Sequence, residues 1–212
     1  MENTEFEISI RVIFSDQIRE ILKREKVRFV REYGSSYKSE PHITLYLDRY
    51  EKEGLRKVIE DLQKLRFEPF TFSLLSPSVR IETDRHQNLY VMDVSDREKF
   101  SRLHDEVSRI AIPYRSFLLR EKTRCRLEQQ GIQTDGMRVN MPEEIDDFDP
   151  HITLGEIDFD KPQAEITEVR NNLKQIQGEK ITVSSIEVFF YGKETGEEKF
   201  KLIERVSISL QH

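Results

Sequence analysis

The sequence predicts an α+β fold, in which helices and antiparallel strands share one compact domain. Two periodicities alternate along the 212 residues: apolar residues recur at every second position in some segments, as in strands, and at helical spacing in others. A polar turn joins the last two predicted strands, and such a hairpin requires antiparallel pairing. A short histidine segment also occurs twice, which predicts an internal duplication with two related lobes.

The first part of the chain predicts the element order β-α-β-α-β-β-α. Residues 6–14 alternate apolar and polar side chains and predict a strand, after which Asp16 is placed to cap a helix over residues 17–30. The other elements of this part are predicted from the same two periodicities at residues 42–47 (strand), 53–65 (helix), 70–81 and 88–94 (strands), and 97–113 (helix).

Residues 114–148 interrupt this pattern and predict an insertion that resembles a lid. The segment begins as a basic stretch and ends as a loop rich in Gly, Pro and acidic residues. Behind it the order β-α-β-β follows: the second histidine strand, then a helix at 163–176 and strands at 181–192 and 199–210. Because a helix and two strands follow each histidine strand, we predict a single domain over residues 1–212 with two pseudo-symmetric lobes.

The composition limits the classes of function. The net charge of −6 gives no basic field over the whole protein, so any contact with nucleic acid must be local. Cys125 is the only cysteine, which excludes an intramolecular disulfide and a cysteine cluster for zinc. Neither a signal segment nor a membrane span is present in the sequence. We therefore expect a cytoplasmic, monomeric protein without a membrane partner.

The repeated segments are "EPHITLYL" at residues 40–47 and "DPHITLGEI" at residues 149–157. Side chains two positions apart on a strand share a face, so His42 and Thr44 point the same way, as do His151 and Thr153. One such segment would most often be structural, with the histidine hydrogen-bonded or at the surface. Two copies, each opening a strand at the matching place in a predicted lobe, favour a functional pair.

Two such histidines suit chemistry at phosphorus. At pH 7 one imidazole can be neutral and act as a general base, while the other is protonated and acts as a general acid. In-line attack requires these two groups on opposite sides of the phosphorus. The two threonine hydroxyls can donate hydrogen bonds to the non-bridging oxygens. This pairing predicts a bell-shaped pH profile with limbs around neutrality.

The pair of His-Ile-Thr-Leu segments resembles the signature of the 2H phosphoesterase superfamily. The element order looks like the branch that holds 2′-5′ RNA ligases and RNA 2′,3′-cyclic phosphodiesterases. The resemblance covers most of the chain outside the insertion. It implies a bilobal fold in which two antiparallel sheets flank a central cleft, with helices outside and with neither a metal nor another cofactor.

The same resemblance implies a metal-independent phosphodiesterase that acts on 2′,3′-cyclic phosphate ends of RNA or nucleotides. The alternatives are a 2′-5′ RNA ligase, a 2′-5′ phosphodiesterase, or a nucleotide-binding module with little catalysis. Carried over to this sequence, His42 and His151 are the catalytic pair, and Thr44 and Thr153 bind the phosphate. We assign His151 as the base that activates water and His42 as the acid.

Four further residues are predicted to contact substrate, each with packing or solvation as the alternative. Tyr46 shares the predicted face of His42 and could stack on a base, whereas Gly155 at the matching position leaves room. Phe148 could form a wall of the cleft, and Tyr191 could reach a nucleobase. Arg115 opens the basic stretch, which could bind an RNA backbone and continues with Arg120, Lys122, Arg124 and Arg126.

The acidic loop before the second motif is interpreted as solvated, because its spacing matches no calcium loop. Its acidic residues are Glu143, Glu144, Asp146, Asp147 and Asp149. No metal site is predicted.

Overall fold

The computed structural model describes residues 5–36, 39–115, 148–193 and 201–211. The strands in these ranges are β1 (Glu5–Val12), β2 (Ile43–Tyr50), β3 (Phe70–Glu82), β4 (Gln87–Val94), β5 (His151–Asp158), β6 (Lys180–Val183), β7 (Ser185–Lys193) and β8 (Lys201–Ser209). The α-helices are α1 (Asp16–Tyr33), α2 (Lys52–Leu62), α3 (Arg97–Ala111) and α4 (Ile166–Leu173). Residues 116–147, which make up most of the predicted insertion, lie outside the described part of the chain.

The eight strands form one antiparallel sheet in the order β6-β3-β4-β5-β2-β1-β7-β8. The mixed α+β class is therefore confirmed. Within the described residues, β2 and β5 are joined by a single register pair, Ile43 with Ile152. We call β2-β1-β7-β8 the first half-sheet and β5-β4-β3-β6 the second. The two separate sheets expected from the resemblance are instead one continuous sheet, because this pair joins its halves.

The segment predicted as one strand over residues 181–192 is two strands, β6 and β7, separated only by Ser184. β6 pairs with β3 at the edge of the second half-sheet, whereas β7 pairs with β1 in the first. In a flat sheet of this order the two strands would lie about 29 Å apart, at ~4.8 Å per strand spacing. One residue spans at most ~3.6 Å. The sheet therefore has to curl until its two ends approach each other.

The helices cover one face of the sheet, and two of them pack on the half-sheet opposite to the one whose strand they follow. α1 follows β1 of the first half-sheet but contacts β5 of the second, and α3 follows β4 of the second but contacts β2 of the first. Phe29 of α1 packs against Tyr90 of β4, with ring centroids 5.0 Å apart. The apolar side chains of the two histidine strands, which include Leu45 and Leu154, are buried beneath these helices. Each half-sheet is thus held by a helix that follows a strand of the other half.

Several predicted boundaries differ from the observed ones by a few residues. α1 begins at Asp16, so the cap position is Ser15 and not Asp16 as predicted. The Ser15 side chain makes no capping hydrogen bond, and the Asp16 carboxylate pairs with Arg19. The helix ends at Gly34, whose φ of 67° is the left-handed conformation that favours glycine. Among the described residues, no helix is long and apolar enough to cross a membrane.

Candidate active site

Both histidine strands contain a β-bulge at the same place in the repeated motif. In β2 the register with β1 passes from Thr44 opposite Arg11 to Tyr46 opposite Ile10, so Leu45 has no register partner there. In β5 the register with β4 passes in the same way from Thr153 to Gly155, and it omits Leu154. A bulge inserts one residue and reverses the alternation of faces beyond it. The alternation that places the histidine and the threonine of each His-Ile-Thr-Leu segment on one face therefore stops at the leucine, the fourth residue.

His42 is held at the start of β2 by two hydrogen bonds. Its Nδ1 donates to the carbonyl oxygen of Glu40 at 2.6 Å, and its Nε2 accepts from the Thr44 hydroxyl at 3.1 Å. Only 6% of the residue is exposed. Pro41 separates donor and acceptor, and its fixed φ helps to set the direction of the Glu40 carbonyl. The bond to that carbonyl leaves Nε2 as the nitrogen able to take up a proton.

His151 is held in the same way at the start of β5. Its Nδ1 lies 2.7 Å from the carbonyl oxygen of Asp149, and Pro150 again separates the two residues. Arg80 Nη1 also lies 3.1 Å from this Nδ1. One nitrogen cannot donate and accept at once. We therefore place the hydrogen on Nδ1, which donates it to the Asp149 carbonyl, as in the matching contact of His42. Both imidazoles then keep Nε2 available for proton transfer.

The charges around the two histidines differ. The pKa of His42 is lowered from 6.5 to about 3, mainly by burial and then by the charges of Arg11, Lys26 and His151, although the hydrogen bond to the Glu40 carbonyl raises it. The Ile43–Ile152 pair places both histidines, each the residue before one member of the pair, at the junction of the two half-sheets. Burial and the charge of Arg80 also lower the pKa of His151, but the Asp149 carbonyl and the carboxylates of Asp149 and Asp93 oppose the shift. Protonation is therefore more favourable at His151 than at His42.

A network of charged residues positions His151. Arg80 of β3 donates to Asp93 of β4 at 2.6 Å and pairs with the Asp149 carboxylate, which also pairs with Arg97. The Ser78 hydroxyl donates to Asp93 at 2.7 Å. Asp93 lies opposite His151 in the register of β4 and β5. The second motif is thus fixed by ion pairs, whereas the first is fixed by burial and by the Thr44 hydroxyl.

We call the sheet face that carries His42, Thr44, His151 and Thr153, opposite the helices, the motif face. Directly paired residues of antiparallel strands share a face. Arg11 therefore lies on the motif face beside Thr44. Its guanidinium carbon lies 4.5 Å from the ring centroid of Phe189 and 5.7 Å from that of Tyr191. Of the predicted contact residues, Tyr191 is the one that belongs to this face.

Tyr46 and Gly155 do not share the face of the histidines, contrary to the sequence-based expectation. Beyond the bulge, Tyr46 pairs with the buried Ile10 and accepts a hydrogen bond from Tyr50 at 3.3 Å on the helix side. Gly155 packs under Phe29, and a Cβ atom built on it would lie 2.3 Å from Phe29 Cδ1. The predicted asymmetry between a ring and an open position across the phosphate is therefore wrong.

The observed contacts of Phe148 and Arg115 are also with residues on the helix side of the sheet. The Phe148 ring stacks on His104 of α3, with centroids 4.2 Å apart and planes 8° apart, and packs against the core. The same His104 donates from Nδ1 to the carbonyl of Leu45, the bulged residue of β2, at 2.6 Å. Arg115 lies where its charge acts on Tyr46 and Tyr50 on the helix side. Core packing, the alternative for Phe148, is thus observed.

The rest of the predicted basic stretch and most of the acidic loop lie outside the described residues. They include Arg120, Lys122, Arg124, Arg126, Glu143, Glu144, Asp146 and Asp147. Within the described ranges, no group of three or more His, Cys, Asp or Glu side chains is placed to hold a metal ion.

The sequence interpretation missed four residues that surround the histidines: Arg11, Lys26, Arg80 and Asp93. The alternation of β1 places Arg11 on the polar face of its strand, and this much could be predicted from the sequence. That this polar face is the motif face follows only from the pairing of β1 with β2. Arg80 and Asp93 meet through the register of β3 and β4, which the sequence pattern does not determine.

Known proteins share the family and the fold of this chain. A family model described as the 2′-5′ RNA ligase superfamily matches residues 14–194. The fold is similar to that of LigT from E. coli complexed with phosphate, with a TM-score of 0.55 and 11% identity over 97% of this chain and 98% of that one. It is also similar to TT0787 of Thermus thermophilus, with a TM-score of 0.57 and 15% identity over 97% of this chain and 100% of that one.

LigT complexed with 3′-AMP gives a TM-score of 0.55 at 11% identity, over 97% of this chain and 99% of that one. No curated protein sequence matches the chain.

Proposed function

We propose, since the chain belongs to the 2′-5′ RNA ligase superfamily, that it is a phosphodiesterase that opens 2′,3′-cyclic phosphate ends of RNA or of nucleotides. The observation that carries the proposal is the matched state of His42 and His151. Each imidazole donates from Nδ1 to the carbonyl two residues earlier and keeps Nε2 for proton transfer. Two imidazoles that hold their hydrogen on Nδ1 in the same way suit a reaction that takes a proton on one side of phosphorus and gives one on the other.

The proposed reaction is an in-line displacement by water. One Nε2 takes a proton from water as its oxygen forms a bond to phosphorus, and one of the two ring P–O bonds breaks. The other imidazolium gives its proton to the ribose oxygen that leaves, so a phosphate monoester and a ribose hydroxyl are formed. Thr44 and Thr153 would donate to the non-bridging oxygens as charge develops there. The single hydrogen of the Thr44 hydroxyl, which is donated to His42 Nε2 in this structure, would have to turn to the phosphate. Two imidazoles supply both proton transfers, so the proposal requires no metal.

The placement of charges favours His42 as the base and His151 as the acid, the reverse of the assignment made from sequence. The burial of His42 and the cations near it keep its imidazole neutral, while carboxylates accompany His151. The reverse assignment needs His42 protonated while His151 is neutral. That combination is the minor species at every pH, because His42 binds its proton more weakly.

The direct test uses an RNA oligomer that ends in a 2′,3′-cyclic phosphate, incubated with the protein in EDTA. We expect conversion to a monoester, followed by chromatography and mass spectrometry. The same oligomer with a 3′-hydroxyl end serves as the control and should stay unchanged. Failure to open the cyclic phosphate in EDTA, under conditions where the protein is folded, contradicts the proposal.

The pH dependence of kcat/KM supplies a second test. The base is available above the pKa of His42, about 3, and the acid is lost as pH rises through the pKa of His151, which lies below 6.5. We therefore expect kcat/KM to fall with rising pH across neutrality, by about tenfold per unit. The bell expected from ordinary histidines is thus shifted towards acid. A rise of kcat/KM between about pH 5 and pH 7 would contradict the charge placement.

Ligation of a 2′-5′ end is the second candidate, favoured by the family that the chain matches. It uses the same displacement with a ribose hydroxyl in place of water. Adding an RNA with a free 5′-hydroxyl end to the assay distinguishes the two, since a ligase yields a longer product.

A further inference from the structure

Lys26 is a buried lysine that the helix layer directs at the second histidine strand. It lies on α1 between Leu22 and Phe29, which pack on the sheet, and only 5% of it is exposed. Its Nζ donates to the backbone carbonyl of Thr153 at 2.9 Å. Thr153 follows Ile152, the residue at which the two half-sheets meet. Burial of an ammonium group costs free energy. Packing alone therefore does not explain a lysine at this position beside the motif.

The charge of Lys26 reaches the motif face. Its electrostatic neighbours are Glu156 of β5, Glu40 before β2, and Arg11 of β1, and its charge also acts on His42. Glu156 and Arg11 belong to the motif face, since Glu156 pairs with Leu89, two residues from the partner of Thr153. Burial lowers the pKa of Lys26 to about 7, against the two carboxylates that raise it. Lys26 is therefore only partly protonated near neutral pH, and an anion bound between the histidines would favour its charged form.

We propose that Lys26 is a positioning residue of the phosphate site, which fixes the Thr153 segment and adds a positive charge behind the bound anion. The inference rests on the proposed function, because it takes the site between the histidines as the place where the phosphate binds. Together with Arg11, Lys26 favours the anion and keeps His42 neutral. A lysine that only satisfied the Thr153 carbonyl would not respond to an anion in the site.

The first test follows the titration of Lys26 by NMR in the unchanged protein, with and without inorganic sulfate. Sulfate is a tetrahedral oxyanion that stays doubly charged from about pH 5 to pH 9 and so isolates the response of the protein. We expect saturating sulfate to raise the pKa of Lys26 by about one unit. The exposed Lys23, one turn earlier on α1, should be unaffected. An unchanged Lys26 titration at saturating sulfate overturns the inference.

The second test compares sulfate binding to Lys26→Met and to the unchanged protein. Methionine keeps the length of the side chain and removes its charge, so the variant is expected to fold. At about pH 6, where Lys26 is charged, the variant should bind sulfate about tenfold more weakly, and near pH 9 the two proteins should converge. Arg24→Met, which removes an exposed charge from the same helix, should bind as the unchanged protein does. Equal affinities at pH 6 would overturn the inference.

Neither test measures catalysis, so the two proposals can fail separately. A protein that leaves cyclic phosphates unopened while sulfate still shifts Lys26 contradicts the proposed function and supports the lysine as part of an anion site. A protein that opens cyclic phosphates although Lys26 ignores sulfate keeps the proposed function and overturns the inference.

Discussion

Alanine in place of His42 or of His151 is expected to lower kcat for opening a 2′,3′-cyclic phosphate by about 10²–10⁴-fold, the range of a lost general acid or base. The effect on KM should be smaller, because the threonines and Arg11 remain in the phosphate site. The measurement is steady-state hydrolysis of an RNA with a cyclic phosphate end. Since the two imidazoles act in one step, we expect the double variant to be little slower than either single variant.

His86→Asn is the matched control for these variants. His86 is exposed in the turn between β3 and β4 and has a φ of 51°, a conformation that asparagine tolerates. It should keep the activity of the unchanged protein. Full activity in His42→Ala or His151→Ala would contradict the two-histidine reaction, provided that the variant remains folded.

Gly155→Ala is expected to destabilise the protein by about 1–3 kcal/mol, a large share of the ~5–15 kcal/mol that stabilises a typical domain. The added methyl group would lie 2.3 Å from Phe29 Cδ1 and 2.9 Å from Phe29 Cβ, so the ring cannot turn away from it. Either α1 or β5 has to shift. Urea denaturation measures the loss, and Phe29→Leu in the same chain should recover part of it by making room.

Gly192→Ala is the matched control, because its Cβ would also lie 2.3 Å from a neighbouring carbon. That carbon is the terminal Cδ1 of Ile203, a residue 61% exposed at the edge of the sheet. The side chain can rotate into solvent, so we expect little loss of stability. Equal losses at the two glycines would show that the packing of Phe29 on β5 is not the cause.

The sequence predicted the residues of the repeated motif better than the surroundings of that motif. The two histidines and threonines share a face over three positions, a distance at which strand alternation holds. It fails at the next position, where the bulges at Leu45 and Leu154 turn Tyr46 and Gly155 towards the helices. Nothing in the alternation of apolar and polar residues distinguishes a regular strand from one with an inserted residue.

The charged residues near the histidines could not be predicted because they come from distant parts of the chain. Arg11 and Arg80 reach the site through strand pairings that close long loops. Lys26 falls on the buried side of α1, where sequence patterns lead one to expect an apolar residue. The split of one predicted strand at Ser184 has a similar origin, since the local pattern contains no sign that the chain changes half-sheets there.

The one-residue link at Ser184 also bears on how a ligand is recognised. The halves of the sheet are tied at the Ile43–Ile152 pair and again by the covalent connection between β6 and β7. These connections, together with the helices that follow one half-sheet and pack on the other, leave little freedom for one half to hinge against the other. The conformational entropy of assembling the two imidazoles is then lost when the chain folds, and not when a ligand binds. The RNA end of the proposed reaction would then have to adopt the shape of a site that is already assembled.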